Sequence, residues 1–154
     1  MKRFLILIIT AMSVVLSSMA ANPDFSSMED EPGISFMQAK GDLLKSGLYF
    51  NQFYMPQDLL RDLDLMQIVY TNPGTSDAIA DKLRQQSRKV GKGMEQDLKS
   101  NTGNAYISIW GNRNKDGIYT RVLIGIGTRG QLLYILLEGN ICGSQLTTVI
   151  AQWL

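Results

Sequence analysis

Two runs of strict alternation meet across a turn-forming loop, and no other feature of the chain narrows its fold as much. Ala105, Ile107 and Ile109 alternate with Tyr106, Ser108 and Trp110; further on, Ile118, Thr120, Val122, Ile124 and Ile126 alternate with Tyr119, Arg121, Leu123 and Gly125. A period of two sends successive side chains to opposite faces of a strand. The intervening stretch Asn112–Gly117 ends in Asp116-Gly117, a pair suited to the backbone of a tight turn, so the spacing predicts a β-hairpin. Gln131 to Glu138 follows as a nearly continuous apolar run, the pattern of a strand covered on both faces.

The rest of the chain supplies helices for that sheet. Ile34–Met37 reads as a short strand and Gln38–Lys45 as a helix, stopped by Ser46-Gly47. Leu48–Met55 is dense in aromatics, and Gln57–Asp62 can form a short helical turn. Leu63–Thr71 reads as a strand and Asn72-Pro73-Gly74 as a turn. Thr75 or Ser76 can cap a long helix over Asp77–Lys99, with Ile79, Leu83, Val90, Met94 and Leu98 on its apolar face. Gly91 and Gly93 weaken that helix by about 1 kcal/mol each. After Gly143-Ser144 a closing amphipathic helix turns Leu146, Val149, Ile150 and Trp153 inward. The expectation is an α+β domain, an antiparallel sheet of four to five strands packed against one long and two short helices, in the order β-α-β-α-β-β-β-α.

The N-terminus carries an address. Lys2 and Arg3 precede an apolar run from Phe4 to Leu16, and Ser18 and Ala20 supply small residues around a cut after Ala20, with Ala21 the near alternative. This is the layout of a secretory signal peptide over residues 1–20. The run falls short of the roughly 20 residues that span a bilayer, so no stable membrane span is expected after processing. Residues 21–33 hold two prolines and four acids and read as a flexible acidic linker, leaving 34–154 as a single domain. Lys2 and Arg3 leave with the leader, so of 15 basic residues 13 remain against 14 acidic ones, net −1. Such a chain has no electrostatic reason to seek nucleic acid.

Chemistry is sparsely represented. The chain has no histidine, which removes the commonest general base and the Ser-His and Cys-His nucleophile pairs. Cys142 is the single cysteine and follows an apolar strand, where a buried inert thiol is expected; the alternative is an intermolecular bridge. Gly125–Gly130 spells GxGxxG, yet the next segment reads as a strand, so these glycines are assigned to a hairpin and no cofactor is expected. Asn112, Asn114 and Asp116 imitate the start of a calcium loop, but Leu123 stands where the bidentate acid belongs, and no metal is expected. Asp58, Asp62 and Asp64 could serve a hydrolase only if one of them were desolvated. The basic run Lys82, Arg84, Arg88, Lys89 and Lys92 reads as the wet face of the long helix.

One surface stands out as a candidate for binding. Tyr106, Ser108 and Trp110 share a side of their strand, and Tyr119, Arg121 and Leu123 are expected to share it on the partner strand, since the aliphatic sets opposite must be buried. Tyr106, Trp110, Tyr119 and Arg121 would together make an aromatic face with one cation, fit to stack on planar or sugar groups or to contact a protein.

The stretches ISFMQAKGDLLKSG, DLMQIVYT and LLYILLEGNICGSQLTTVIAQWL give the chain its strand-to-helix opening, its strand before the long helix, and its ending of strand, glycine and short helix. In these it resembles the domain of unknown function 4252 (DUF4252) family, small exported proteins typical of Bacteroidota. The resemblance implies a non-enzymatic cell-envelope protein. Because no cysteine stands at the cut as in the family's lipoproteins, it also implies a soluble periplasmic or secreted form. The expected function is that of a binding or regulatory module whose partner is an envelope protein or glycan. The alternatives are a self-associating structural protein, a homodimer built through LLYILL or Cys142, and a carboxylate-dependent hydrolase.

Overall fold

The computed structural model describes residues 22–46 and 55–151. The expected signal peptide, most of the aromatic stretch 48–55 and Trp153 lie outside them. Six strands form one antiparallel sheet in the order β1-β2-β6-β5-β4-β3: β1 Ile34–Lys40, β2 Leu63–Thr71, β3 Glu95–Asn101, β4 Ala105–Arg113, β5 Tyr119–Thr128 and β6 Gln131–Ile141. Helices α1 Asp42–Ser46, α2 Gln57–Asp62, α3 Asp77–Val90 and α4 Gly143–Ala151 complete the domain. The α+β class and the two expected hairpins are present, with Thr128 opposite Gln131 so that Arg129-Gly130 forms a two-residue turn. Gly130 sits at φ 98°, a conformation that glycine takes without steric cost. None of the described helices is long and apolar enough to cross a membrane.

The sheet is one strand larger than expected, and the extra strand comes out of the long helix. Helix α3 ends at Val90; Gly91 closes it and Gly93 takes φ 84° to turn the chain. Glu95–Asn101 then pairs with β4. Met94 and Leu98 continue the helical spacing from Val90 by coincidence, because β3 is an edge strand, almost wholly exposed, and needs no alternation of its own. Two further corrections concern β1. It runs to Lys40, not Met37, and the short helix α1 begins only after Gly41, at φ 54°. With α2 formed as well, the order becomes β-α-α-β-α-β-β-β-β-α.

Helices cover both faces of the sheet. On one, Leu44 of α1, Leu59 and Leu60 of α2, and Leu146 and Val149 of α4 pack on Met66, Ile68, Val122, Ile124, Ile135 and Leu137. On the other, Leu83 and Val90 of α3 pack on Val69, Leu123, Tyr134 and Leu136. Strand β6 alternates between the two cores, which is why its sequence is apolar without a break.

The second face has another layer that the composition of residues 21–33 concealed. Instead of a flexible linker, residues 23–31 form a strap across the sheet, turned once by the short 3-10 segment Ser26–Met28. Phe25 and Met28 are completely or almost completely buried, and the Phe25 ring stacks on Tyr134 at 5.9 Å between centroids. Buried Gln67 of β2 fastens the strap: its carbonyl accepts from Phe25 N at 2.9 Å, and its amide donates to Gln38 Oε1 at 2.7 Å and to Asp24 Oδ2 at 3.2 Å. Gln86 of α3 donates to the Asp24 carbonyl, and Lys82 pairs with Glu31. Two apolar side chains among four acids were enough to anchor a segment whose average composition reads as disordered.

Candidate functional site

Glycines in β5 shape the floor of the site. A Cβ on Gly127 would run into the ring of Tyr106, and one on Gly125 would meet Tyr134 Cε1 and Ser108 Oγ, each at 2.9 Å. Both tyrosines therefore lie across backbone that carries no side chain, and their hydroxyls meet at 3.1 Å. Burial, then the bond to Tyr134, pushes the Tyr106 hydroxyl well above the usual tyrosine range.

Above this floor the end of α3 makes a wall. Ser87 and Gly91 occupy the helix stripe that faces the sheet, one turn apart, where larger residues would fill the space. Gly91 also lets the helix end come close to β5, since a Cβ there would lie 3.2 Å from Leu123 Cδ2. Between wall and floor lies a cleft of about 260 Å³, lined from the sheet by Tyr106, Ser108, Trp110, Leu123 and Tyr134 and from the helix by Ser87, Arg88 and Gly91. Among the described residues Arg88 is its one charged residue, and no carboxylate lines it.

Of the four residues expected to form an aromatic face, the structure brings two into the cleft. Tyr106 and Trp110 line it, both half-buried. Arg121 lies on the same face but beneath the strap, where it donates to the Pro23 carbonyl and pairs with Glu138 across the strands at 2.9 Å, an ion pair rather than an aligned hydrogen bond. Tyr119 has turned to the opposite face. The pairing shifts by one residue between Asn112 and Arg113 and between Tyr119 and Arg121, and one step of slip exchanges the two faces of a strand. There the Tyr119 ring lies over Gly111, its hydroxyl donates to Asp97 Oδ2 at 2.8 Å, and it accepts from Arg113 at 2.6 Å. Burial, followed by the Asp97 bond, raises the Tyr119 pKa.

The remaining candidates settle into structural roles. Asp58 and Asp62 do share a face of α2, and both accept from Gln145 of α4, at 3.5 and 3.0 Å, but they and Asp64 are exposed. Asn114 Oδ1 accepts from the backbone N–H groups of Asp116 and Ile118, so the calcium-like loop spends that oxygen on its own turn. Among the described residues no group of three or more acidic or cysteine side chains converges as a metal site. Cys142, expected to be buried, is exposed at the junction of β6 and α4. Only the preceding residue, Ile141, belongs to the core.

A second depression, about 370 Å³, lies on the opposite face, between Tyr70, Ile126, Leu133 and Gln131. It is larger but carries no charged residue. The basic run Lys82, Arg84, Arg88, Lys89 and Lys92 is exposed as expected; sequence reasoning missed only that Arg88 and Ser87 border the cleft. The available signal was the pair of small residues, Ser87 and Gly91, on a helix stripe otherwise occupied by Leu83 and Val90.

Comparison with family models, curated proteins and solved structures returned no match to this chain.

Proposed function

We propose that the protein is exported and works in the periplasm or outside the cell as a non-enzymatic binding module, with the α3–β4 cleft as its recognition site. The observation that carries this reading is the cleft itself. Aromatic rings, a serine hydroxyl and one arginine converge on a concave space, which is how small-ligand sites are usually built. The cationic, apolar leader with small residues before Ala20 and Ala21 supports export, as does the resemblance to DUF4252 proteins. The absence of histidine and the exposure of Asp58, Asp62 and Asp64 support binding over turnover.

A thermal-shift screen of envelope-derived glycans and small metabolites tests the reading, with wild-type protein and Trp110→Ala run side by side. At least one compound is expected to raise the melting temperature of the wild type and not of the variant. Ligands that stabilise both equally would refute the cleft as the site. Exposed Cys142 favours a second reading, self-association through an intermolecular disulfide. The apolar strand β6 gives it no help, being central in the sheet. Light scattering that shows a monomer with and without reductant would exclude it.

A further inference from the structure

The cleft also constrains the chemistry of what it holds. Building on the proposed recognition site, we infer that its ligand is an aromatic monocarboxylate: one planar ring on the Tyr106/Trp110 side and one carboxylate on Arg88.

Size comes first. A volume of about 260 Å³ lies just under the roughly 300–1,000 Å³ usual for drug-sized ligands, so the cleft has room for a single ring with a short substituent and not for an oligomer. Charge comes next. Arg88 forms no ion pair or side-chain hydrogen bond among the described residues, whereas Arg84, one turn earlier, is paired with Asp81. Lys99 stands opposite Ser108 in the β3–β4 register and adds a second cation at the same edge. Of the two acids on β3, Asp97 is committed to Tyr119 and Arg113 on the other face, and Glu95 stands opposite Gly111 in the register of that same face. An anion entering here therefore finds unspent positive charge and no repelling carboxylate in the lining.

Hydrogen-bonding capacity then separates a flat ring from a sugar. Ser87 already donates to the Arg84 carbonyl at 2.8 Å, and the Tyr106 and Tyr134 hydroxyls are bonded to each other. That leaves Ser108 and the proton of whichever tyrosine accepts as the free hydroxyl donors in the lining among the described residues. A sugar would bury several hydroxyls without partners, each at a cost, while a planar ring buries none. The tyrosine floor and Trp110 offer what such a ring needs, π surface lining the cleft.

Ligand-observed NMR titration with phenylacetate, phenylacetamide and glucuronate tests this on wild type, Arg88→Gln and Trp110→Leu. Phenylacetate is expected to bind the wild type about tenfold or more tightly than its neutral amide, the ratio expected for one charge-assisted contact. Arg88→Gln, an exposed helix position, should bring the acid down to the level of the amide. Trp110→Leu, its fold checked by circular dichroism, should weaken both. Equal binding of acid and amide, tighter binding of glucuronate, or indifference to Arg88→Gln would overturn the inference. If the screen still yields a compound that depends on Trp110, the recognition site survives and only its ligand class has been misassigned. If nothing depends on Trp110, the site itself is wrong.

Discussion

Gly127 has no side chain because Tyr106 occupies the place one would take, and the same holds for Gly125 beneath Tyr134. These two contacts turn a pair of ordinary strand aromatics into a floor. Gly127→Ala is therefore expected to destabilise the domain by about 1–3 kcal/mol through overpacking, measured by urea unfolding. In a Tyr106→Ala background the same substitution should cost less than half as much, since the clash is removed. Additive costs would mean that the ring does not lie on Gly127. The buried hydroxyls bear on pH as well. Tyr106 and Tyr119 both hold their protons above the ordinary tyrosine pKa of about 10. Between the unfolded and folded values the native state binds more protons, so the stability they contribute is whole below about pH 10 and is lost as pH rises through the folded pKa. Melting temperature should fall steeply above that pH, and less steeply in Tyr106→Phe. A parallel decline in both proteins would contradict this.

At the scale of elements the decisive piece is the strap. Phe25 and Met28 close one face of the core, and Gln67, Gln86, Arg121 and Lys82 reach to it from β2, α3 and β5. Phe25→Ala should cost roughly 3–5 kcal/mol of unfolding free energy, as for a large buried aromatic. Asp30→Ala, on the same segment but exposed, should stay within about 0.5 kcal/mol. A free tether would give near-zero cost for both. The strap also shows where sequence reading stops. The β4–β5 hairpin and β6 were legible because alternation and an unbroken apolar run are local patterns with one physical cause each. The strap was not, because Asp24 and Phe25 are fastened by Gln67, about forty positions away, and the Phe25 ring by Tyr134, farther still. Helix α3 was legible to Val90 and no further: its spacing continued by chance through an edge strand that has nothing to bury. Tyr119 was misplaced for a similar reason, since a bulge that shifts register by one leaves no mark in the alternation itself.

For the whole molecule, an antiparallel sheet clothed on both sides leaves little surface for recognition except where a layer is incomplete. Helices α1, α2 and α4 cover one face except for the uncharged depression beside Tyr70, Ile126 and Leu133. The strap and α3 share the other, and α3 gives out at Gly91 while β4 continues beyond it. The cleft is that gap, and its aromatic lining is what the incomplete layer exposes. The candidate site was half legible: Tyr106 and Trp110 announced themselves as the polar-side register of a strand, but Arg88 became part of a site only through the packing of α3. Amide NMR of the labelled protein titrated with phenylacetate tests the assignment of function to this gap most directly. The account predicts shifts concentrated at Ser87–Gly91, Tyr106–Trp110 and Leu123, lost in Arg88→Gln. Shifts centred instead on Tyr70, Ile126 and Leu133, or spread evenly over the surface, would contradict it.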